Sequence, residues 1–80
     1  MDLQKFEQLL FSKGWKMYKE CYCGGRHQRK YHSDINDMYS ICYYFKTETF
    51  NVYHYGIKPV LVKDEKLENI EKIMIEHGLG

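Results

Sequence analysis

The stretch MYSICYYFKTETFNVYHY, residues 38–55, decides the fold class. Its first half, Met38–Phe45, is rich in β-branched and aromatic residues, and its second half, Phe50–Tyr55, alternates apolar with polar or aromatic positions. KTET at 46–49 has the length of a short hairpin connection. The stretch therefore predicts two antiparallel strands in the middle of the chain.

Another strand is predicted before this pair, because a period of two begins at Trp15. One set of positions comprises Trp15, Met17, Cys21 and Cys23, and the alternating set comprises Lys16, Tyr18, Glu20 and Tyr22. Residues 23–37 then form either a long loop or a β-extension of the first hairpin. Lys58-Pro59 is expected to end the sheet, and VLV at 60–62 forms a short edge strand or leads into the last helix.

Helical periodicity marks both ends of the chain. The N-terminal apolar stripe predicts a helix over residues 2–13, closed by Gly14, and Asp64 is expected to cap a second helix over 64–77, closed by Gly78. The apolar positions of the two helices are Leu3, Phe6, Leu9 and Leu10, then Leu67, Ile70, Ile73 and Met74.

These elements predict an α+β fold, a two-layer α-β-β-β-α sandwich over residues 1–80 as a single domain. Its sheet is an antiparallel meander with both helices on one face. The other face is then open. By strand parity it should show four tyrosines: Tyr18, Tyr22, Tyr53 and Tyr55.

The composition of the chain bears on the cellular compartment in which the protein is found. The apolar runs are far shorter than the roughly 20 residues that span a bilayer, and the N-terminus has no secretory signal pattern. Three cysteines, two of them only two positions apart, favour free thiols in a reducing compartment. We therefore expect a cytoplasmic protein with no membrane partner and no disulfide.

Charge is distributed unevenly along the chain. Residues 13–32 carry a net charge of +5 without the histidines, whereas residues 63–80 carry −2. Such an asymmetry indicates that one side of the molecule attracts anions.

Two terminal segments, LQKFEQLLFSKGW and LENIEKIMIEHGL, resemble the first and last helices of HicA-type toxins, small mRNA interferases with a double-stranded-RNA-binding-domain-like fold. Gly25-Arg26-His27, followed by Tyr31-His32-Ser33-Asp34, is similar to the family's histidine loop, with Arg26 in place of its hydroxyl residue. The resemblance implies a metal-independent endoribonuclease in which His27, or His32, is the acid/base residue.

The stretch CYCGGRHQRKYH at 21–32 supports other interpretations as well. Cys21, Cys23, His27 and His32 could ligate zinc in a C-x-C-x3-H-x4-H pattern, although this spacing differs from common zinc knuckles. The alternative is that the cysteines are small core residues facing the helices. We favour a site with no metal and no cofactor, and we expect His54 and Cys42 to be structural.

Nucleic-acid binding without catalysis is the interpretation that we favour, with RNA preferred over DNA as the partner. Basic side chains would contact phosphates, and tyrosines would stack on bases. The candidate contact residues are Lys16, Tyr18, Tyr22, Arg26, His27, Arg29, Lys30, Tyr31 and Tyr53. The alternative is a protein-interaction module, either a phage or mobile-element protein that binds a host factor or a self-associating homo-oligomer, because tyrosine and arginine are also enriched at protein interfaces.

Overall fold

The computed structural model describes residues 1–56 and 60–80, and they form an α+β fold. The described elements are α1 (Leu3–Ser12), β1 (Trp15–Cys21), a 3₁₀ turn (Cys23–Gly25), β2 (Gln28–Ser33), β3 (Tyr39–Tyr44), β4 (Thr49–His54), β5 (Val60–Lys66), a second 3₁₀ turn (Leu67–Asn69) and α2 (Ile70–His77). The strands form one antiparallel meander in the order β1-β2-β3-β4-β5, with β1 and β5 at its edges. No helix within the described residues is both long and apolar enough to cross a membrane.

The sheet contains more strands than the three that the sequence predicts. Six of the fifteen residues 23–37 form β2, so the β-extension is the correct alternative for this region. The VLV segment begins β5, which continues to Lys66. The predicted end of the sheet at Lys58-Pro59 lies outside the described residues.

Helix α1 agrees closely with its prediction because its boundaries are encoded locally. The Asp2 carboxylate accepts a hydrogen bond from the Lys5 backbone N–H at 2.9 Å, and Gly14 takes a positive φ of 87° after the last turn. The amphipathic stripe between these ends buries Phe6 and Leu10.

Helix α2 begins at Ile70, six positions later than predicted, because Asp64 lies in β5 and caps no helix. Asp64 has a φ of 54°, and its backbone N–H donates to Asn51 Oδ1 in β4 at 2.8 Å. The end of α2 is as expected. Gly78 is left-handed, and the Leu79 N–H donates to the Met74 carbonyl at 2.8 Å.

The hydrophobic core lies between the two helices and one face of the sheet. Its fully buried residues include Phe6, Leu10, Trp15, Tyr31, Ile41, Phe50, Val52, Ile70 and Leu79. The Phe6 ring contacts the rings of Tyr31, Tyr43 and Phe50 with centroid separations of 5.4–6.0 Å. Both helices therefore pack on this one face, and no helix within the described residues lies on the other face, here called the open face.

A β-bulge in β1 reverses the alternation that the sequence predicts for this strand. Met17 pairs with Tyr31 and Lys19 pairs with Lys30, so Tyr18 is an extra residue without a partner on β2. Beyond the bulge, Cys21 lies opposite Gln28 and faces the open side. The expectation that Cys21 faces the helices is therefore wrong.

Candidate functional site

The basic stretch around residues 26–32 is mostly a strand, and its side chains therefore point to both faces of the sheet. Lys30 lines a groove on the open face, whereas its neighbour Tyr31 is 0% exposed in the core under the helices. Because side chains alternate along a strand, Arg29 lies on the helix side with Tyr31, and His32 lies on the open face with Lys30. The stretch cannot act as one continuous phosphate-binding loop.

Arg29 and Tyr31 are held by carboxylates on the helix side. The Tyr31 hydroxyl donates to Glu7 Oε2 at 2.6 Å, and Arg29 donates to the same oxygen at 2.8 Å and to Glu20 Oε1 at 2.6 Å. Burial, followed by the bond to Glu7, raises the pKa of Tyr31, and the bond to Glu20 is the main cause that raises the pKa of Arg29. Tyr31 is buried and Arg29 is neutralised by two carboxylates. Neither residue therefore remains a candidate for contact with a ligand.

His27 occupies a similar structural position. Its Nε2 lies 3.0 Å from Glu20 Oε2, and its ring stacks between Tyr22, at a centroid distance of 4.4 Å, and Phe45, at 3.7 Å. Tyr22 therefore lies against His27 and does not share the open face with Tyr18. This placement corrects the parity expectation for Tyr22.

His27 and His32 do not converge. They are separated by five positions, an odd number, and His32 packs on the open face against Tyr18 with a centroid distance of 4.8 Å. The two rings on opposite sides of the sheet cannot share a substrate as an acid/base pair. For the same reason they cannot join Cys21 and Cys23 around one zinc ion, and the described residues hold no other cluster of three potential metal ligands.

Cys21 and Cys23 are joined in a disulfide, contrary to the expectation of free thiols. β1 ends at Cys21, and Tyr22, the residue between the two cysteines, leaves the extended conformation with φ −109° and ψ 41°, which brings the two cysteine Cα atoms to 5.5 Å. Strand periodicity therefore no longer applies to the pair.

The turn that holds this disulfide is fastened to the sheet by Gln28. Its side-chain amide donates to the Cys23 carbonyl at 3.0 Å and accepts from the Cys42 thiol at 2.9 Å. Burial raises the pKa of Cys42, so this thiol stays protonated and is a poor nucleophile.

The open face contains a concave site of about 240 Å³, here called the tyrosine groove. Its lining includes Tyr18, Lys30, Cys42, Tyr44, Tyr53 and Tyr55. Tyr18, Tyr53 and Tyr55 thus lie on the open face, as strand parity predicts. Tyr44 was not among the predicted site residues. Strand parity could have placed it on the open face, because it lies two positions after Cys42 and the intervening Tyr43 is in the core.

Hydrogen bonds and an aromatic contact order the groove. The Tyr44 and Tyr53 hydroxyls are 2.9 Å apart, and Asn51 Nδ2 donates to the Tyr53 hydroxyl at 2.9 Å. The Arg26 guanidinium carbon lies 3.9 Å from the centroid of the Tyr44 ring. Burial and the neighbouring Tyr55 raise the pKa of Tyr18, so its hydroxyl is neutral at physiological pH.

Cations border the groove on the β1 side. Lys19 lies directly opposite Lys30, and neither forms an ion pair with another described residue. Lys16 lies on the same face and pairs loosely with the exposed Asp34 at 3.4 Å. Lys19 was missed because regular alternation from Trp15 places it in the core set. A lysine at a position that regular alternation assigns to the core indicates a bulge in the strand.

Comparison of the chain with protein-family models, with curated proteins and with solved structures found no match.

Proposed function

We propose that this protein is a small non-enzymatic module that binds nucleic acid, RNA in preference to DNA, through the open face of its sheet. The observation that carries the proposal is the Lys19–Lys30 pair beside the tyrosine groove. Lysines directly opposite each other on neighbouring strands repel, so this arrangement costs stability. A bound phosphate would remove that cost. Departures from favourable local pairing are expected where a surface serves a ligand.

The surroundings of this lysine pair suit a polyanion with planar groups. Arg26 and Lys16 extend the positive surface, and the exposed tyrosine rings offer stacking platforms next to it. Glu7 and Glu20, the carboxylates that pair with Arg29, are turned to the helix side, and the exposed Asp34 pairs loosely with Lys16. The open face therefore keeps four of the six bases of residues 13–32, namely Lys16, Lys19, Arg26 and Lys30.

The proposal is tested by fluorescence anisotropy with labelled single-stranded RNA, single-stranded DNA and duplexes at several salt concentrations. Affinity should fall steeply with salt, because each neutralised phosphate releases condensed counterions. Lys19→Ala and Lys30→Ala should each reduce the slope of log K against log salt by about one. The folded state should not be weakened by either variant, since repulsion is relieved.

Lys72→Ala is the matched control, because Lys72 is an exposed lysine on α2 whose only described partner is Glu76 on the same helix. Its slope should equal that of the wild type. Absence of binding at low salt, or a complex that is insensitive to salt and to the Lys19 and Lys30 variants, would contradict the proposal. Cleavage of the RNA during incubation would show an enzyme.

A further inference from the structure

We propose that the tyrosine groove holds one unpaired base of a single-stranded nucleic acid, with the adjoining phosphate at Lys30 and Lys19. This inference rests on the proposed function and adds to it the strand state of the ligand and the site that selects it. Single strands have bases that are free to stack on protein rings, whereas a duplex keeps its bases stacked and paired inside.

The size and walls of the groove suit one planar group. Its volume of about 240 Å³ lies below the roughly 300–1,000 Å³ of pockets that enclose drug-sized ligands. Tyr18 from the bulge of β1 and Tyr55 after β4 reach over the face from its two sides, and both residues are substantially exposed, at 47% and 66%. They offer the ring surface on which a base can stack.

The floor of the groove favours stacking over base-specific hydrogen bonding. The Gln28 amide is fully engaged with the Cys23 and Arg26 carbonyls and with the Cys42 thiol. The Tyr53 hydroxyl is already shared by Tyr44 and Asn51. Because these polar groups are satisfied within the protein, we expect binding to depend weakly on which base is present.

Charge places the phosphate next to the base. Lys30 lines the groove, and Lys19 lies directly opposite it on the edge strand β1. A base in the groove therefore brings its own backbone within reach of two ammonium groups that have no carboxylate partner in the described part of the chain. This juxtaposition of aromatic walls and cations distinguishes the groove from the helix-side cluster, where Arg29 is paired with two carboxylates.

The test uses short pyrimidine strands of RNA and of DNA, the same strands made abasic at their central positions, and matched duplexes. The wild type should bind the intact strands best and the abasic strands and duplexes more weakly. Tyr18→Ala and Tyr55→Ala should each weaken single-strand binding by about 5- to 100-fold without changing the salt slope, because stacking is not ionic. Tyr18→Phe should retain wild-type affinity, since the ring remains.

Tyr22→Ala is the matched control, because Tyr22 is 71% exposed but stacks on His27 outside the groove. It should bind like the wild type. Thermal unfolding of each variant verifies the fold, and the abasic strands test the groove without any variant. Equal affinity for RNA and DNA would support the groove, with recognition of base and phosphate alone, but would contradict the proposed preference for RNA. Higher affinity for RNA would support both and would indicate a contact to the 2′-hydroxyl.

Equal affinity for intact strands, abasic strands and duplexes would overturn the base-binding groove. If binding were still steeply salt-dependent and weakened by Lys30→Ala, the proposed function would survive that failure. If no nucleic acid bound at low salt, both proposals would fall together.

Discussion

At the scale of single residues, Glu20 determines which basic side chains remain available. Its two carboxylate oxygens accept hydrogen bonds from Arg29 and from His27. Arg29 and His27, two of the nucleic-acid contact residues predicted from the sequence, are thus bound to one acid at the edge of the sheet. The same acid appears in the sequence only as one negative charge among six bases between residues 13 and 32.

Glu20 should also make stability depend on pH. The hydrogen bond from His27, followed by that from Arg29, lowers the pKa of Glu20. A lowered carboxyl pKa contributes stability that is present above the pKa of the unfolded chain, near 4.3, and is lost as pH falls through the lower folded pKa. Glu20→Gln should therefore lower the midpoint of thermal unfolding at neutral pH.

The difference between Glu20→Gln and the wild type should shrink as the pH is lowered below about 4. Thermal unfolding followed by circular dichroism over a pH series measures it. Glu76→Gln is the control, because its partner Lys72 is a distant 3.9 Å away on an exposed helix face. A difference for Glu20→Gln that is the same at every pH would contradict this role.

At the scale of elements, the decisive features are the bulge in β1 and the turn that follows it. The bulge moves Lys19 and Cys21 to the open face, and the turn joins Cys21 to Cys23. Together they build the border of the candidate site from residues that regular alternation assigns to the core or to the helix side.

The disulfide makes a definite prediction about thiol counts. Protein purified without reductant and then denatured should show one reactive thiol, that of Cys42, and reduction should raise the count to three. In the folded protein Cys42 should react slowly, because it is buried. Alkylation followed by intact mass measurement gives these counts.

Two variants refine the thiol experiment. The double variant Cys21→Ala/Cys23→Ala should remain folded and lose at most about 2 kcal/mol, because the disulfide closes a very short loop. Cys42→Ala, as the matched control, should leave no thiol in the denatured, unreduced protein. Three reactive thiols in the unreduced wild type would show that the disulfide does not form.

At the scale of the whole molecule, the two faces of the sheet have different tasks. The helix-covered face supplies the core, and Trp15 connects both ends of the chain to it. Its ring is 1% exposed at the start of β1, and its indole N–H donates to the Leu79 carbonyl beyond α2 at 3.0 Å. The open face is thereby free to carry polar and aromatic side chains.

Trp15→Ala should lower the free energy of unfolding by about 3–5 kcal/mol, because it leaves a large cavity between the helix ends. Such a loss is a large part of the roughly 5–15 kcal/mol available to a small domain. Trp15→Phe should cost less, since it keeps the ring and loses mainly the hydrogen bond to Leu79. Urea unfolding measures both, and an Ala variant with near wild-type stability would refute the central position of Trp15.

The sequence by itself determined the parts of this protein that depend on near neighbours. Asp2 and Gly14 bound α1, Gly78 ends α2, and the strands β3 and β4 follow from residue type and a period of two. The tyrosines of β1 and β4 were assigned to the open face by parity, and three of the four lie there. Each of these features is encoded within a few residues of where it occurs.

Only the tertiary structure decided the features that need a distant partner. Asp64 stays in a strand because Asn51, 13 positions away, accepts its N–H, and Arg29 is neutralised by Glu7, 22 positions away on α1. The bulge at Tyr18 depends on pairing with β2, a strand that the sequence left undecided. Local pattern states which conformations are favourable, but the partner across the fold selects among them, because burial and long-range hydrogen bonds outweigh local propensity. That selection divided the basic stretch between a structural cluster under the helices and the candidate binding face.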